Sequence, residues 1–119
     1  MTRVVKFRLW DQEDNIMWHD FSLGNSDVND MFSNLSGQLV LMQYVGTNDI
    51  NQIACYESDI IKRYRDDMSE YRKCIVKYID CAFYAFPLDD NSVGDDCPTL
   101  LIEYPFKIIG NAYQDPKLL

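Results

Sequence analysis

A chain of 119 residues with 19 acidic and 11 basic side chains carries a formal net charge of −8. That balance opposes duplex nucleic acid binding, which draws its affinity from basic side chains set against phosphates. With 47% hydrophobic, 13% aromatic and 25% charged residues, the chain has the material for a packed core rather than a disordered one, and a single domain over 1–119 is expected.

Residues 3–10 alternate as a first strand, with Val5, Phe7 and Leu9 on one face and Lys6 and Arg8 on the other. The polar stretch Asp11 to Asn15 is a turn, and Ile16-Met17-Trp18 begins the return strand of an N-terminal hairpin, which Gly24 ends. Ser26 can cap a short helix carrying Val28, Met31, Phe32 and Leu35 at helical spacing, with Gly37 as its stop. From Gln38 to Val45 both faces are apolar, as in a central strand.

Gly46 to Gln52 reads as a polar turn and Asp59 to Tyr64 as the next strand. Arg65 to Lys73 is a charged connection, either a loop or a helical turn. Cys74 to Phe86 is the longest apolar stretch, enough for two strands or one long bent one. Pro87 to Pro98 has the Asp, Gly and Pro content of a surface loop, and Pro105 divides two final strands, Leu100–Tyr104 and Phe106–Ile109. Short strands between regular turn signals predict a mainly β fold: a small antiparallel barrel-like domain with an N-terminal hairpin and one short helix.

Motifs that carry chemistry are missing. There is no Gly-rich phosphate loop, no Gly-x-Ser-x-Gly elbow and no His-Glu-x-x-His. The sole histidine, His19, is followed by Asp20, but neighbours in a strand point to opposite faces, so Asp20 is poorly placed to orient it. Cys55, Cys74, Cys81 and Cys97 lack the close pairing of zinc ligands and are expected to be reduced and partly buried. No catalytic residue, metal or cofactor is assigned, and the chain is not expected to be an enzyme.

Charge is nonetheless uneven. Asp66 and Asp67, and the quartet Asp89, Asp90, Asp95 and Asp96, are either solvated loop tips or an acidic patch for a partner with a basic surface. Arg63, Arg65, Arg72 and Lys73 form a candidate anion site, beside which Tyr64 and Tyr71 could stack on a base. The N-terminus lacks the apolar core of a signal peptide and no apolar run reaches a membrane span, so an intracellular location without membrane partners is expected.

Three stretches resemble the YopX-like family of small bacteriophage and prophage proteins. Lys6-Phe7-Arg8-Leu9-Trp10-Asp11 is similar to the family's opening. Met42, Gln43, Tyr44, Gly46, Asp49, Asn51, Tyr56, Glu57, Asp59, Ile60 and Lys62 fall on a second pattern without a gap. Ile108 to Leu119 looks like the family's terminal segment. The departures are Gln52 and Ser58, which stand where the family has glycine, so a different turn is expected at Asn51-Gln52. Residues 19–38 and 63–100 show no counterpart to these motifs.

The resemblance implies a mainly β fold, a phage or prophage origin, the bacterial cytoplasm, self-association, and no catalytic residues. The matched residues read as scaffold, with Asp59 capping backbone N–H groups and Gly46 and Gly110 suiting tight turns or close approach. The leading functional expectation is a non-enzymatic accessory protein that binds a host bacterial protein, antagonising a defence or regulatory factor. The alternatives are a nucleotide binder or sponge and a structural homo-oligomer. Duplex nucleic acid is the least expected partner.

Overall fold

The computed structural model describes residues 6–21, 39–64, 70–88 and 99–119; of Asp20 and Phe21 it describes the backbone alone. Within them run nine strands: β1 (Phe7–Asp11), β2 (Ile16–Phe21), β3 (Leu39–Asn48), β4 (Ala54–Tyr56), β5 (Asp59–Tyr64), β6 (Tyr71–Ile79), β7 (Ala82–Pro87), β8 (Thr99–Leu100) and β9 (Phe106–Asn111). They form a four-stranded sheet in the order β2-β1-β3-β4 and a five-stranded sheet in the order β8-β7-β6-β5-β9, with every pairing antiparallel. The fold is mainly β, with one sheet curled as half a barrel. Among the described residues the only helical pieces are 3-10 turns at Leu101–Glu103 and Pro116–Leu118. The helix expected from Ser26 lies outside the described residues.

Local chemistry sets most turns. In the first hairpin the Asp11 carboxylate accepts the Glu13 and Asp14 N–H groups at 3.0 and 3.2 Å, and Asn15 takes a positive φ of 56°. The long apolar stretch divides at Asp80-Cys81, whose φ values of 50° and 68° give a two-residue turn of the kind that matches strand twist.

Elsewhere tertiary pairing overrides the local signals. β3 runs through Gly46 to Asn48, where a turn was expected. Gly46 adopts φ 94° and the β3–β4 register shifts between Tyr44 and Asn48, so this glycine bends a continuing strand. The three-residue β4 is short enough to carry no sequence signal of its own. β6 starts at Tyr71, within the expected charged connection, because Tyr71, Arg72 and Lys73 find partners in Tyr64, Arg63 and Lys62. The expected strand Leu100–Tyr104 pairs at Leu100 and then turns into 3-10 geometry, which buries Leu101.

Two apolar clusters fill the interior. One gathers Cys55, Ile61, Cys74, Val76, Ala85, Leu101 and Phe106 beneath the five-stranded sheet. The other joins Trp10, Met42 and Tyr56, with Tyr44 and Tyr113 packed alongside. The second contains two aromatic pairs, Trp10–Tyr113 and Tyr44–Tyr56, with ring centroids 6.0 and 5.8 Å apart. Cys55 and Cys74 are buried free thiols and Cys81 is an exposed one. No helix among the described residues is long and apolar enough to cross a membrane.

Candidate functional site

The two sheets meet where β4 passes into β5 through Glu57-Ser58. Here Arg8, expected on the strand face opposite Phe7 and Leu9, is 5% exposed and turned inward. Its Nη2 donates to the Asp59 carboxylate at 2.7 Å and to the Glu57 carbonyl at 3.1 Å, while its guanidinium lies 4.8 Å from the Tyr56 ring. Consecutive residues Arg8, Leu9, Trp10 and Asp11 of β1 are all buried, so both faces of the strand are covered and a charge on it needs a buried partner. Asp59 supplies that charge and also accepts the Tyr56 N–H at 2.9 Å, the cap expected of it. Burial raises the Asp59 carboxyl above its ordinary value, with Arg8 acting in the opposite direction. Burial, and then the Asp59 charge, push the neighbouring Cys55 thiol well up.

Asp49 secures the same seam one loop earlier. Its Oδ1 accepts the Asn51 and Ile53 N–H groups, both at 2.9 Å, and its Oδ2 accepts the Ile108 N–H at 3.0 Å, sealing the open edge of β9. Glu57 Oε1 accepts the Gln43 N–H at 2.9 Å. Asn111 accepts from Tyr113 and Gln114, and Asp115 accepts the Asn111 N–H. Gly110 is held close here: a Cβ on it would lie 2.6 Å from the Asp115 carboxylate and 2.7 Å from Leu118.

A cleft of ≈ 330 Å³ opens over this seam, lined among others by Arg8, His19, Tyr56, Asp59, Asn111 and Asp115. His19 is an exposed residue of β2 at the cleft. Of the cleft's acidic and amide groups, Asp59, Asn111 and Asp115 already hold backbone N–H groups and Gln114 Oε1 accepts from Asn111 Nδ2 at 2.7 Å, so these residues shape the fold. Among the described residues no group of three or more His, Cys, Asp or Glu side chains could hold a metal ion.

The expected anion site does not converge. Arg63 and Arg72 oppose each other on the inner face of the five-stranded sheet. Arg63 is 9% exposed, donating to Thr99 Oγ1 at 2.9 Å, with Tyr104 5.8 Å away. Lys73 points to the opposite face, and Arg65 lies outside the described residues. So do all six candidate partner-binding acids, Asp66, Asp67, Asp89, Asp90, Asp95 and Asp96.

The outer faces of the sheets differ in character. On the four-stranded sheet Leu9 sits between Trp18 and Leu41, and Asp11 between Ile16 and Leu39, and directly opposed residues share a face. Leu9 is fully buried there, yet Ile16, Trp18 and Leu41 are 44%, 42% and 38% exposed. On the five-stranded sheet, Lys73, Lys62 and Lys107 stand opposite one another across β6, β5 and β9. Sequence reasoning missed both, because each patch joins two consecutive strands to a third that is distant in the chain. The usable signal was the two-sided apolar pattern of Leu39–Val45.

The sequence profile of the YopX protein family matches residues 6–119 and so runs through 19–38 and 63–100, where the short motifs had found no counterpart. The crystal structure of protein EF1440 from Enterococcus faecalis has a similar fold, with TM-score 0.67 and 21% identity over 99% of both chains. That of protein yopX from Bacillus subtilis gives TM-score 0.61 and 18% identity, again over 99% of both. No curated protein matches this chain. A profile matched along nearly the whole sequence, on a fold shared with yopX itself, places the chain in the YopX protein family.

Proposed function

We propose that this protein is a non-enzymatic phage or prophage accessory protein that acts by binding a host protein through the apolar outer face of its four-stranded sheet. The observation that carries the reading is the exposure of Ile16, Trp18 and Leu41 around the buried Leu9. A tryptophan flanked by aliphatic side chains is the composition of an interface centre, where a few large residues supply most of the affinity. The hairpin tip beside Ile16 carries Glu13 and Asp14, both exposed, on a chain of net charge −8. The matching partner surface is therefore an apolar pocket with a basic rim, with charge speeding encounter and apolar contact holding the complex. A host defence or regulatory factor with such a surface is the target this reading names.

The test is affinity capture from infected host lysate with wild type and Trp18→Ala side by side, each checked for folding by circular dichroism. One stoichiometric host protein, retained by wild type and reduced at least tenfold by Trp18→Ala, is the expected result, a loss of about 1.4 kcal/mol or more. Retention by the folded variant at wild-type level would sink the reading. A wild-type dimer in light scattering that Trp18→Ala dissolves would give the face to a second copy of the chain instead.

A further inference from the structure

The five-stranded sheet carries nearly all of its charge with one sign. Its strands hold Lys62, Arg63, Arg72, Lys73, Lys77 and Lys107, and their one acid, Asp59, is buried against Arg8. The antiparallel register sets Lys73 opposite Lys62 and Lys62 opposite Lys107, so three ammonium groups cross three adjacent strands on one face. At about 4.8 Å between strands the row is about 10 Å long. Like charges directly opposed in a sheet are destabilising. Among the described residues no carboxylate pairs with any of the three to relieve that repulsion.

Aromatic rings share the face. Tyr64 and Tyr71 are opposed on β5 and β6, two residues along from the lysine pair and so on the same face, with ring centroids 6.1 Å apart. Tyr71 is 54% exposed, and Lys62 Nζ sits 4.6 Å from its ring centroid. A row of cations beside exposed rings on a twisted sheet is the arrangement that holds a single strand, with phosphates along the cations and bases against the rings. A duplex hides its base faces and would meet only the lysines, so the chain's overall negative charge still weighs against it.

We infer that the outer face of the five-stranded sheet binds single-stranded nucleic acid, with Lys73, Lys62 and Lys107 taking backbone phosphates and Tyr71, supported by Tyr64, stacking on a base. This face is separate from the apolar face of the other sheet, so either can fail without the other.

Fluorescence anisotropy with a labelled oligothymidylate of about 12 nucleotides, at roughly 50 mM salt, reads the inference directly. Binding is expected to weaken with salt at a log–log slope of about −2, three phosphates at roughly 0.7 each. Replacing all three lysines by glutamine should lower affinity at least about tenfold and flatten that slope, whereas replacing them by arginine should keep both. Lys117→Gln, which removes one charge on the C-terminal turn, should change affinity less than about twofold. Tyr71→Ala should weaken the oligonucleotide about tenfold and leave heparin, a polyanion without bases, unaffected. The inference is overturned if the oligonucleotide does not bind at about 100 μM protein in that salt. It is equally overturned if duplex or heparin binds as well as the single strand, or if an acidic peptide displaces it while Tyr71→Ala has no effect.

Discussion

The seam between the sheets and the outer faces use their charged side chains in opposite ways. At the seam the buried Arg8, Asp49 and Asp59 and the half-buried Asp115, with the amide of Asn111 beside them, hold one another or backbone N–H groups. On the outer face of the five-stranded sheet Lys73, Lys62 and Lys107 oppose like charge. The seam draws on motif positions such as Arg8, Asp49, Glu57, Asp59, Asn111 and Asp115, whereas on the faces Trp18, Leu41, Lys73, Tyr71 and Lys107 lie outside the motifs and Leu9 and Lys62 lie within them. Motif positions thus concentrate where the chain crosses from one sheet to the other, while most of the exposed residues on the outer faces lie outside them.

The seam half of this contrast breaks most visibly at the buried ion pair. Arg8→Ala leaves the Asp59 carboxylate buried without its partner, and a loss of about 3–5 kcal/mol in urea unfolding is expected. Arg8→Met combined with Asp59→Leu removes both charges and should cost less than Arg8→Ala alone. A single substitution below about 1 kcal/mol would show that the pair is solvated and does not hold the seam.

A smaller effect, in pH, tests the balance inside the pair. Because burial raises the Asp59 carboxyl, folding takes up a proton between its ordinary value of 3.8 and the raised one. In that window the folded state binds more protons than the unfolded chain. The Asp59 contribution to stability is thus full below the lower value and is lost as pH rises through the upper one. The stability of wild type relative to Asp59→Asn should accordingly fall as pH is raised from about 4 toward neutrality, followed by urea unfolding at each pH. A difference that grew with pH would mean that Arg8 outweighs burial.

Much of the fold was legible because its signals are local. Alternation marked β1, two-sided apolarity marked β3, and the run from Cys74 to Phe86 marked β6 and β7. The Arg8–Asp59 pair was not, since its two residues stand on different sheets and a basic residue in an alternating strand reads as outward-facing. The Arg63–Arg72 cluster misled for a related reason: neighbours such as Arg72 and Lys73 in a strand point to opposite faces, so a basic run splits into one inward and one outward side chain. Patches such as Lys73-Lys62-Lys107 exist only once register is fixed.

The mildest test concerns the two positions where this chain lacks the family's glycine. A changed turn was expected at Asn51-Gln52, but Gln52 takes φ 64° and Ser58 takes φ 70°, both in the region glycine adopts without strain. Both positions thus hold, without glycine, a conformation that glycine adopts most readily. At Ser58 the reason is visible: its N–H donates to the Val76 carbonyl at 2.9 Å and its carbonyl accepts the Ala112 N–H at 2.9 Å, so one residue is clamped between β6 and the segment after β9. At Gln52 the N–H donates to the Asp49 carbonyl at 2.9 Å, and Asp49 holds the rest of the loop. Replacing either by glycine relieves side-chain strain but adds freedom to the unfolded chain, and the two terms partly cancel. A net gain of about 0.5–1 kcal/mol is expected for Ser58→Gly, read as a rise in the urea midpoint with unchanged slope. Gln52→Gly, exposed and held on one side only, should gain less. A loss at both positions would mean that the side chains contribute something the backbone clamp does not, and the seam would then be more than scaffold.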